Sequence, residues 1–372
     1  MTTTELSTFR LISDLLKDPE RKPVFRIACE LFSLCLMHRR FPRFYFSRYL
    51  FKRNRTNIGD YYPDKFFDKI KPLFNDKEAR DVLENKLYFD FYYNQFNVSR
   101  PRIFMYNHRK VFVADGKILE VNSPADFRNL LKNIINTKSA DKTVFIKKTF
   151  WSYGGHQIYK IHLDQIDNNL EMIDNLYQTI ITTGFLFQET VKQHPEMDQL
   201  NSSCLNTLRI DSFIDRNGDV ELLSGYLRTS IRNMHIDNIS SGGCAIPVDL
   251  QTGRLKKEGY LTLKMSGVKL LTQHPVTKTV FENFSIPFFN DAKELVIRAA
   301  GLVPCLRLVG WDVAIGESGP VLLEGNSDYN MTGNDLTSGG FRLNPVFRKL
   351  LQELNTIRST RFKDTKTILL NN

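Results

Sequence analysis

Few cysteines, no long apolar run and no familiar nucleotide loop define this chain first by what it lacks. Of 372 residues only five are cysteine: Cys29, Cys35, Cys204, Cys244 and Cys305. The number is odd and no pair has C-x-x-C spacing, which argues against a disulfide framework and a structural zinc site. No apolar run approaches the roughly 18 residues that cross a bilayer. The segment Met1 to Lys22 is polar and carries acids, unlike a secretory leader. The expectation is a reducing, cytoplasmic setting with free thiols. There is no G-x-x-x-x-G-K-[ST] loop, no G-x-G-x-x-G turn, no G-x-S-x-G elbow and no H-E-x-x-H helix. The seven histidines show no metal-ligand spacing. Zinc chemistry and histidine catalysis are therefore poor starting points.

Hydrophobic residues make up 42% and charged residues 25% of the chain, as in an ordinary globular protein. The net charge of +10 is uneven. Residues Met37 to Arg55 hold seven Lys/Arg and no acid, interleaved with Phe41, Phe44, Tyr45, Phe46, Tyr49 and Phe51. Three readings fit. The aromatics pack inward while arginines stay solvated, the stretch makes peripheral contact with an anionic membrane, or it tracks a nucleic acid backbone. No RNP, zinc-finger or helix-turn-helix signature supports the last, so no nucleic acid partner is expected.

Periodicity divides the chain. Residues 1–80 read as helical, from Leu11, Leu15 and Leu16 and from Phe25, Cys29, Phe32 and Leu36. Beyond about residue 100 strands and helices alternate. Hairpins are expected around Asp115-Gly116, Asn217-Gly218, Thr252-Gly253 and Ser318-Gly319. Ser123-Pro124 starts a helix, and apolar residues from Ile166 to Ile180 mark another. Thr143 to Lys148 and Gly184 to Val191 read as strands. The fold class is α+β, rich in antiparallel hairpins.

Three constellations carry chemistry. In Gly310-Trp311-Asp312 and Leu323-Glu324-Gly325-Asn326, two strands pair across a tight turn. Glu324 and Asn326 share a face by the two-residue strand period, and Asp312 reaches that face from the partner strand. Two carboxylates and an amide oxygen on apolar strands are costly unless a cation satisfies them. Hard oxygen donors in this number suit Mg²⁺. The second constellation is Lys147-Lys148 at a strand end followed by Gly154-Gly155, a cation and a flexible loop for nucleotide phosphates. The third is Gln188-Glu189-Thr190-Val191, a strand end whose backbone could meet an adenine edge. Each of the last two has an ordinary structural explanation, and their order along the chain is what joins them to the first.

That order resembles an ATP-grasp fold, two α/β subdomains clasping ATP, here preceded by a helical N-terminal region. The Asp–Glu–x–Asn spacing resembles the metal strands of D-alanine–D-alanine ligase. Gln193-His194-Pro195, Leu205 to Ile210, Asp237-Asn238 leading to Gly242-Gly243, His274-Pro275 and Gly310-Trp311-Asp312 resemble the sugar-transfer-associated ATP-grasp family, found with bacterial exopolysaccharide and capsule genes. The likeness spans roughly residues 80 to 345. It implies a basic helical region at 1–80, an N-terminal and lid subdomain at 81–190, a C-terminal subdomain with the metal strands at 191–350, and a tail at 351–372. Asn85-Lys86 resembles the family's upstream lysine segment, so Lys86 joins Lys147 or Lys148 on the phosphates. The sequence departs from the pattern where Lys147-Lys148 lacks the usual following proline, where the loop has fewer glycines, and where Gly310 replaces the ligases' arginine.

The resemblance implies ATP and Mg²⁺ as cofactors and a carboxylate–amine ligase working through an acyl phosphate. Asp312, Glu324 and Asn326 would hold the metal, and Arg209 and Arg228 would supply the missing positive charge. Asn206 and Asn238 would contact substrate, a small carboxylate or amine, the carboxylate a uronic acid of a nucleotide- or lipid-linked glycan. Two other functions compete: a phosphotransferase using Glu221, Asp211 or Asp237 as base, and a non-catalytic ATP-binding module. Arginines at 209, 228 and 232 tilt toward a carboxylate substrate. The whole reading requires the three oxygen-bearing tips to share a face beside a cleft that admits a purine.

Overall fold

The computed structural model describes residues 8–150, 157–231, 242–262 and 268–370. Two antiparallel sheets carry the fold. The first has six strands in the order β3-β2-β1-β6-β4-β5, and the second five in the order β11-β10-β7-β8-β9. Their ranges are β1 Ile103–His108, β2 Val111–Ala114, β3 Lys117–Glu120, β4 Thr143–Lys148, β5 Ile158–His162 and β6 Gly184–Gln188, then β7 Thr207–Ile214, β8 Val220–Ser230, β9 Gly243–Pro247, β10 Leu308–Gly316 and β11 Gly319–Asn326. The fold is α+β, as its hairpin-rich sequence implies.

Each sheet has its own apolar core. Helix Pro124–Lys138 opens on a capping box, Ser123 with Asp126, and lays Phe127, Leu131, Ile134 and Ile135 on the first sheet. The helix expected through Ile166 to Ile180 is two helices, Leu163–Asn168 and Leu170–Ile180. Asn169 between them has ψ of 66°, and its side chain accepts from the Met172 N–H, capping the second helix. On the second sheet, helix Phe289–Gly301 covers the face bearing Leu208, Ile210, Leu227, Trp311 and Val313. The β10–β11 turn is Glu317-Ser318, one residue earlier than the glycine signal, because Gly316 pairs with Gly319.

The chain crosses between the sheets just after β6. Gln193 bridges to Gly316, and the His194 N–H donates to the Ile315 carbonyl at 2.9 Å. Helix Lys86–Asn94 also straddles the gap. Asn85 caps it, the Lys86 N–H donates to the Thr149 carbonyl at 2.8 Å, and Glu84 Oε1 accepts from Ser327 N at 2.8 Å. The tail expected from residue 351 continues the helix Pro345–Leu370, with Leu354 buried.

The basic aromatic stretch packs four of its six rings inward. Helix Val24–His38 ends where Arg39 turns left-handed at φ 52°, and only Phe44–Ser47 is helical in the stretch that follows. Phe44, Tyr45, Tyr49 and Phe51 are buried, so residues 37–55 do not offer these rings to a membrane. The arginines are not all solvated either. Arg48 is fully buried, paired with Asp64 at 2.7 Å and Asp335 at 3.2 Å. Lys52 pairs with Asp18 at 2.7 Å. Tyr49 donates to the Leu261 carbonyl at 2.8 Å, fastening the region to the second half of the chain.

Gly325 has a packing reason. A Cβ there would stand 2.8 Å from the Trp311 ring, and Trp311 is fully buried with its indole N–H on Ser212 Oγ at 2.8 Å. Gly325→Ala should therefore cost about 1–3 kcal/mol by overpacking. Urea unfolding of the two proteins measures this, and an unchanged midpoint would contradict the packing argument.

Candidate functional site

Antiparallel register builds the site. Glu324 of β11 lies opposite Asp312 of β10, Asp312 opposite Arg209 of β7, and Arg209 opposite Tyr226 of β8. The next row on that face is Asn326, Gly310, Asp211 and Ser224. The opposite face is the apolar one under helix Phe289–Gly301, so alternation sorts charge from core across four strands. The three oxygen-bearing residues anticipated from sequence do share a face.

Two carboxylates directly opposite one another repel unless cations intervene. Arg209 Nε donates to Asp312 Oδ1 at 2.5 Å, and Arg228 Nη2 to Asp312 Oδ2 at 2.8 Å. Arg228 also holds Thr207 Oγ1, by Nε at 2.9 Å and Nη2 at 2.8 Å. Lys86 Nζ reaches Glu324 Oε2 at 3.1 Å, and Asn326 Nδ2 lies 3.4 Å from Glu324 Oε1. Three cations thus face two carboxylates. Burial pushes the Asp312 carboxyl above its ordinary value, with Glu324 adding to it against the pull of both arginines. Burial acts on Glu324 in the same sense, but Lys86, Asp312 and Arg228 outweigh it and hold that carboxyl below the usual range.

Gly310 makes room for this arrangement. A Cβ at 310 would lie 3.1 Å from Arg209 Nη1, from Asp211 Oδ1 and from the Tyr329 ring. The guanidinium of Arg209 fills the space beside the glycine that stands where D-alanine ligases carry arginine, and it sits over the Tyr329 ring at 5.6 Å. Sequence reasoning missed Tyr329 and Asn334, which close this face. Asn334 Nδ2 donates to Ser224 Oγ at 3.2 Å, and Ser224 Oγ to Asp211 Oδ2 at 2.8 Å. Asn334 Oδ1 is buried without a hydrogen-bond partner, while the Tyr329 hydroxyl is engaged with the Asp211 carboxyl. Neither carries a periodic or motif signal in the sequence.

Beside the charged rows a cleft runs between the sheets, lined by Lys86, Asp90, Arg100, Lys147, Gln188 and Leu323 among others. Lys147 pairs with Leu186 and shares the cleft face, whereas Lys148 alternates to the face bearing Ile146 and the first core. Of the two lysines left open in the sequence, Lys147 is the one that lines this cleft. The cleft is narrow. It holds about 280 Å³ even with its open mouth included, below the roughly 300–1,000 Å³ usual for ligand pockets. The ion pair of Arg100 with Asp90 at 2.7 Å stands in it. The requirement of a cleft that admits a purine is met only if the sheets part.

Other anticipated residues fall differently. Asn206 is fully buried, and its amide donates to Gln193 Oε1, the Met197 carbonyl and the Asn201 carbonyl at 3.1, 3.0 and 2.8 Å. It fastens the 193–206 loop and leaves no donor for a substrate. The Glu189 N–H donates to the Arg102 carbonyl at 2.9 Å, and its carboxylate accepts from Arg102 N at 2.6 Å, so that backbone donor is engaged. Gln188 is buried with its amide on the Pro101 carbonyl at 3.3 Å. Thr190, whose buried hydroxyl has no partner, and Val191 remain at the crossing. Glu221 is tied to Lys349 at 2.7 Å. Gly154, Gly155, Arg232, Asp237 and Asn238 lie outside the described residues.

Among the described residues no three His, Cys, Asp or Glu side chains gather as metal ligands. Both Asp312 oxygens are taken by Arg209 and Arg228, so the oxygens left for a metal are the Glu324 carboxylate and the Asn326 amide, which suit Mg²⁺ when phosphate and water supply the rest of its shell. Glu324 has the more open side, 29% of its side chain being exposed against 2% for Asp312.

Comparison with known proteins gives a family match. The model described as sugar-transfer associated ATP-grasp matches residues 65–350. No curated protein matches. Among solved structures, D-alanyl-alanine synthetase A from Vibrio cholerae O1 biovar eltor is 17% identical, with 74% of this chain and 65% of that chain covered and a TM-score of 0.41. A biotin carboxylase–β,γ-ATP complex from Campylobacter jejuni is 10% identical over 70% of this chain and 46% of that one, with a TM-score of 0.40. N5-carboxyaminoimidazole ribonucleotide synthetase from Thermotoga maritima is 8% identical over 70% and 48%, with a TM-score of 0.35. The chain thus spans from under half to just under two thirds of these proteins.

The buried acids set a pH dependence. Burial pushes Asp211 up to about 7 and Asp335 up to about 6, against about 3.9 for an unfolded aspartate. The folded protein therefore keeps protons that the unfolded chain has released, and stability falls as pH rises through that window. The melting temperature should drop from pH 5 to pH 8, and Asp211→Asn should shrink the drop. An equal drop in the variant would contradict the assignment.

Proposed function

Since the chain belongs to the sugar-transfer associated ATP-grasp family, we propose that it is an ATP-dependent carboxylate–amine ligase. The observation that carries this reading is the Asp312–Glu324 pair with Arg209, Arg228 and Lys86 on one sheet face, beside a cleft lined by Lys147. A surplus of fixed cations around two carboxylates suits a polyphosphate and a substrate carboxylate together. Lys86 and Lys147 hold phosphate oxygens as point charges. Thr190 and Val191 lie where the base would meet the crossing segment. Glu324 and Asn326, backed by Asp312, would hold Mg²⁺, which when bound neutralises charge on the phosphates.

The reaction class asks little covalent work of the protein. A carboxylate oxygen attacks the γ-phosphorus and ADP departs, leaving an acyl phosphate. An amine attacks the acyl carbon, phosphate leaves, and the amine loses a proton. Arg209 and Arg228 offer fork-shaped donors that fit the carboxylate and then the acyl phosphate. The family's description, sugar-transfer associated, favours a uronic acid or similar glycan carboxylate on one side, with an amino acid or amine on the other. One observation favours a phosphotransferase instead. Asp211, raised to about 7, could take a proton from a sugar hydroxyl.

Product analysis separates these. Incubation with ATP, Mg²⁺, uronic acids and amino acids should release ADP and phosphate with an amide visible by mass spectrometry. A phosphosugar without free phosphate would favour the second reading. Glu324→Gln should abolish ADP release while the circular dichroism spectrum holds, and near-native turnover would overturn this site. Lys147→Ala should raise the KM for ATP at least about tenfold, the loss of one charged contact, and Lys148→Ala should leave it near native.

A further inference from the structure

Helix Val24–His38 is apolar on two opposite sides. Ile27 and Leu34 face inward, buried in the N-terminal cluster with Tyr45 and Tyr49. Phe25, Phe32 and Leu36, spaced i, i+7 and i+11, form a stripe on the other side and are 81%, 66% and 66% exposed. Met37 in the last turn and Phe41 just past the helix end extend it, 53% and 57% exposed. A helix apolar all round belongs against something on both sides.

Charge says what that something is. Glu30 is the only acid between Arg21 and Gly59. It is bonded to Lys22 Nζ at 2.7 Å, to the Tyr45 hydroxyl at 2.6 Å and to Arg26 Nε at 3.0 Å. Arg39, Arg40 and Arg43 are exposed just beyond the stripe. Large apolar side chains rimmed by arginines, with no acid on the outward side, suit the boundary between acyl chains and anionic headgroups. Arginine stems extend along such a boundary while their charges stay wet.

We infer that the outward face of helix Val24–His38, continued by Phe41, docks the protein on an anionic lipid membrane. The surface overlaps the start of the basic aromatic stretch and extends back along the preceding helix, because folding buries most rings of that stretch and leaves Phe25, Phe32, Leu36 and Phe41 outside.

Flotation of the full chain with vesicles tests this. At low salt the protein should float with phosphatidylcholine vesicles containing roughly one-third phosphatidylglycerol, and not with phosphatidylcholine alone. High salt should release it. The double variant Phe25→Ser/Phe32→Ser should lose at least about tenfold in bound fraction, and Arg40→Glu/Arg43→Glu several-fold, both with unchanged circular dichroism. Absence of binding to the anionic vesicles, or variants that float as well as the native chain, would overturn the inference. So would a dimer seen by light scattering that Phe25→Ser/Phe32→Ser dissociates while vesicles stay unbound.

Discussion

A dry carboxylate shared between two arginines organises this molecule. Asp312 sits on the second strand of a five-stranded sheet with one arginine on each oxygen and a second carboxylate directly across the ladder. Removing one partner from such a group strands the other in a poor dielectric, at a cost of about 3–5 kcal/mol. Nearby features answer to that constraint. Gly310 keeps its Cβ position empty so that Arg209 fits, Tyr329 lies under the guanidinium, and a capped helix brings Lys86 to Glu324. An apolar sheet face would be the simpler way to build a stable core. Retaining opposed charges here is understandable as chemistry.

Between the two cores lies the part of the fold with least to hold it shut. The sheets are bridged by the segment after β6 and by helix Lys86–Asn94 with its preceding turn. Ser99, ahead of β1, adds a backbone bond to β11, accepting from the Leu322 N–H at 2.8 Å, and the Arg100–Asp90 pair stands in the cleft. Each sheet keeps its own hydrophobic cluster, so a change in their separation leaves both cores intact.

Strand period and turn chemistry carried most of the architecture into the sequence. Thr143 to Lys148 forms a strand over those residues, and Asp115-Gly116 turns a hairpin with both φ angles positive. Asp312, Glu324 and Asn326 were legible because alternation fixes a face locally. Asn206 was not, since its role depends on Gln193, thirteen residues away across a loop with no periodic signal. Glu189 looked available because a strand end exposes its backbone, yet Arg102 from another strand had already engaged it. The stripe of Phe25, Cys29, Phe32 and Leu36 announced a helix correctly. Periodicity tells that a stripe exists, and only packing decides whether it faces in or out.

Arg48 ties the beginning of the chain to its end. Its guanidinium is fully buried and joins Asp335, also fully buried, and Asp64. Asp335 in turn caps Phe341 and takes the Tyr62 N–H, and its neighbour Asn334 touches Ser224 on the charged sheet. The family match opens at residue 65, downstream of that arginine. A protein trimmed to the matched boundary would leave Asp335 without its counter-ion, two residues past the glycine that packs on Tyr226. The segment around Arg48 is therefore part of the foundation of the second sheet, and borders drawn from sequence likeness alone cut through it.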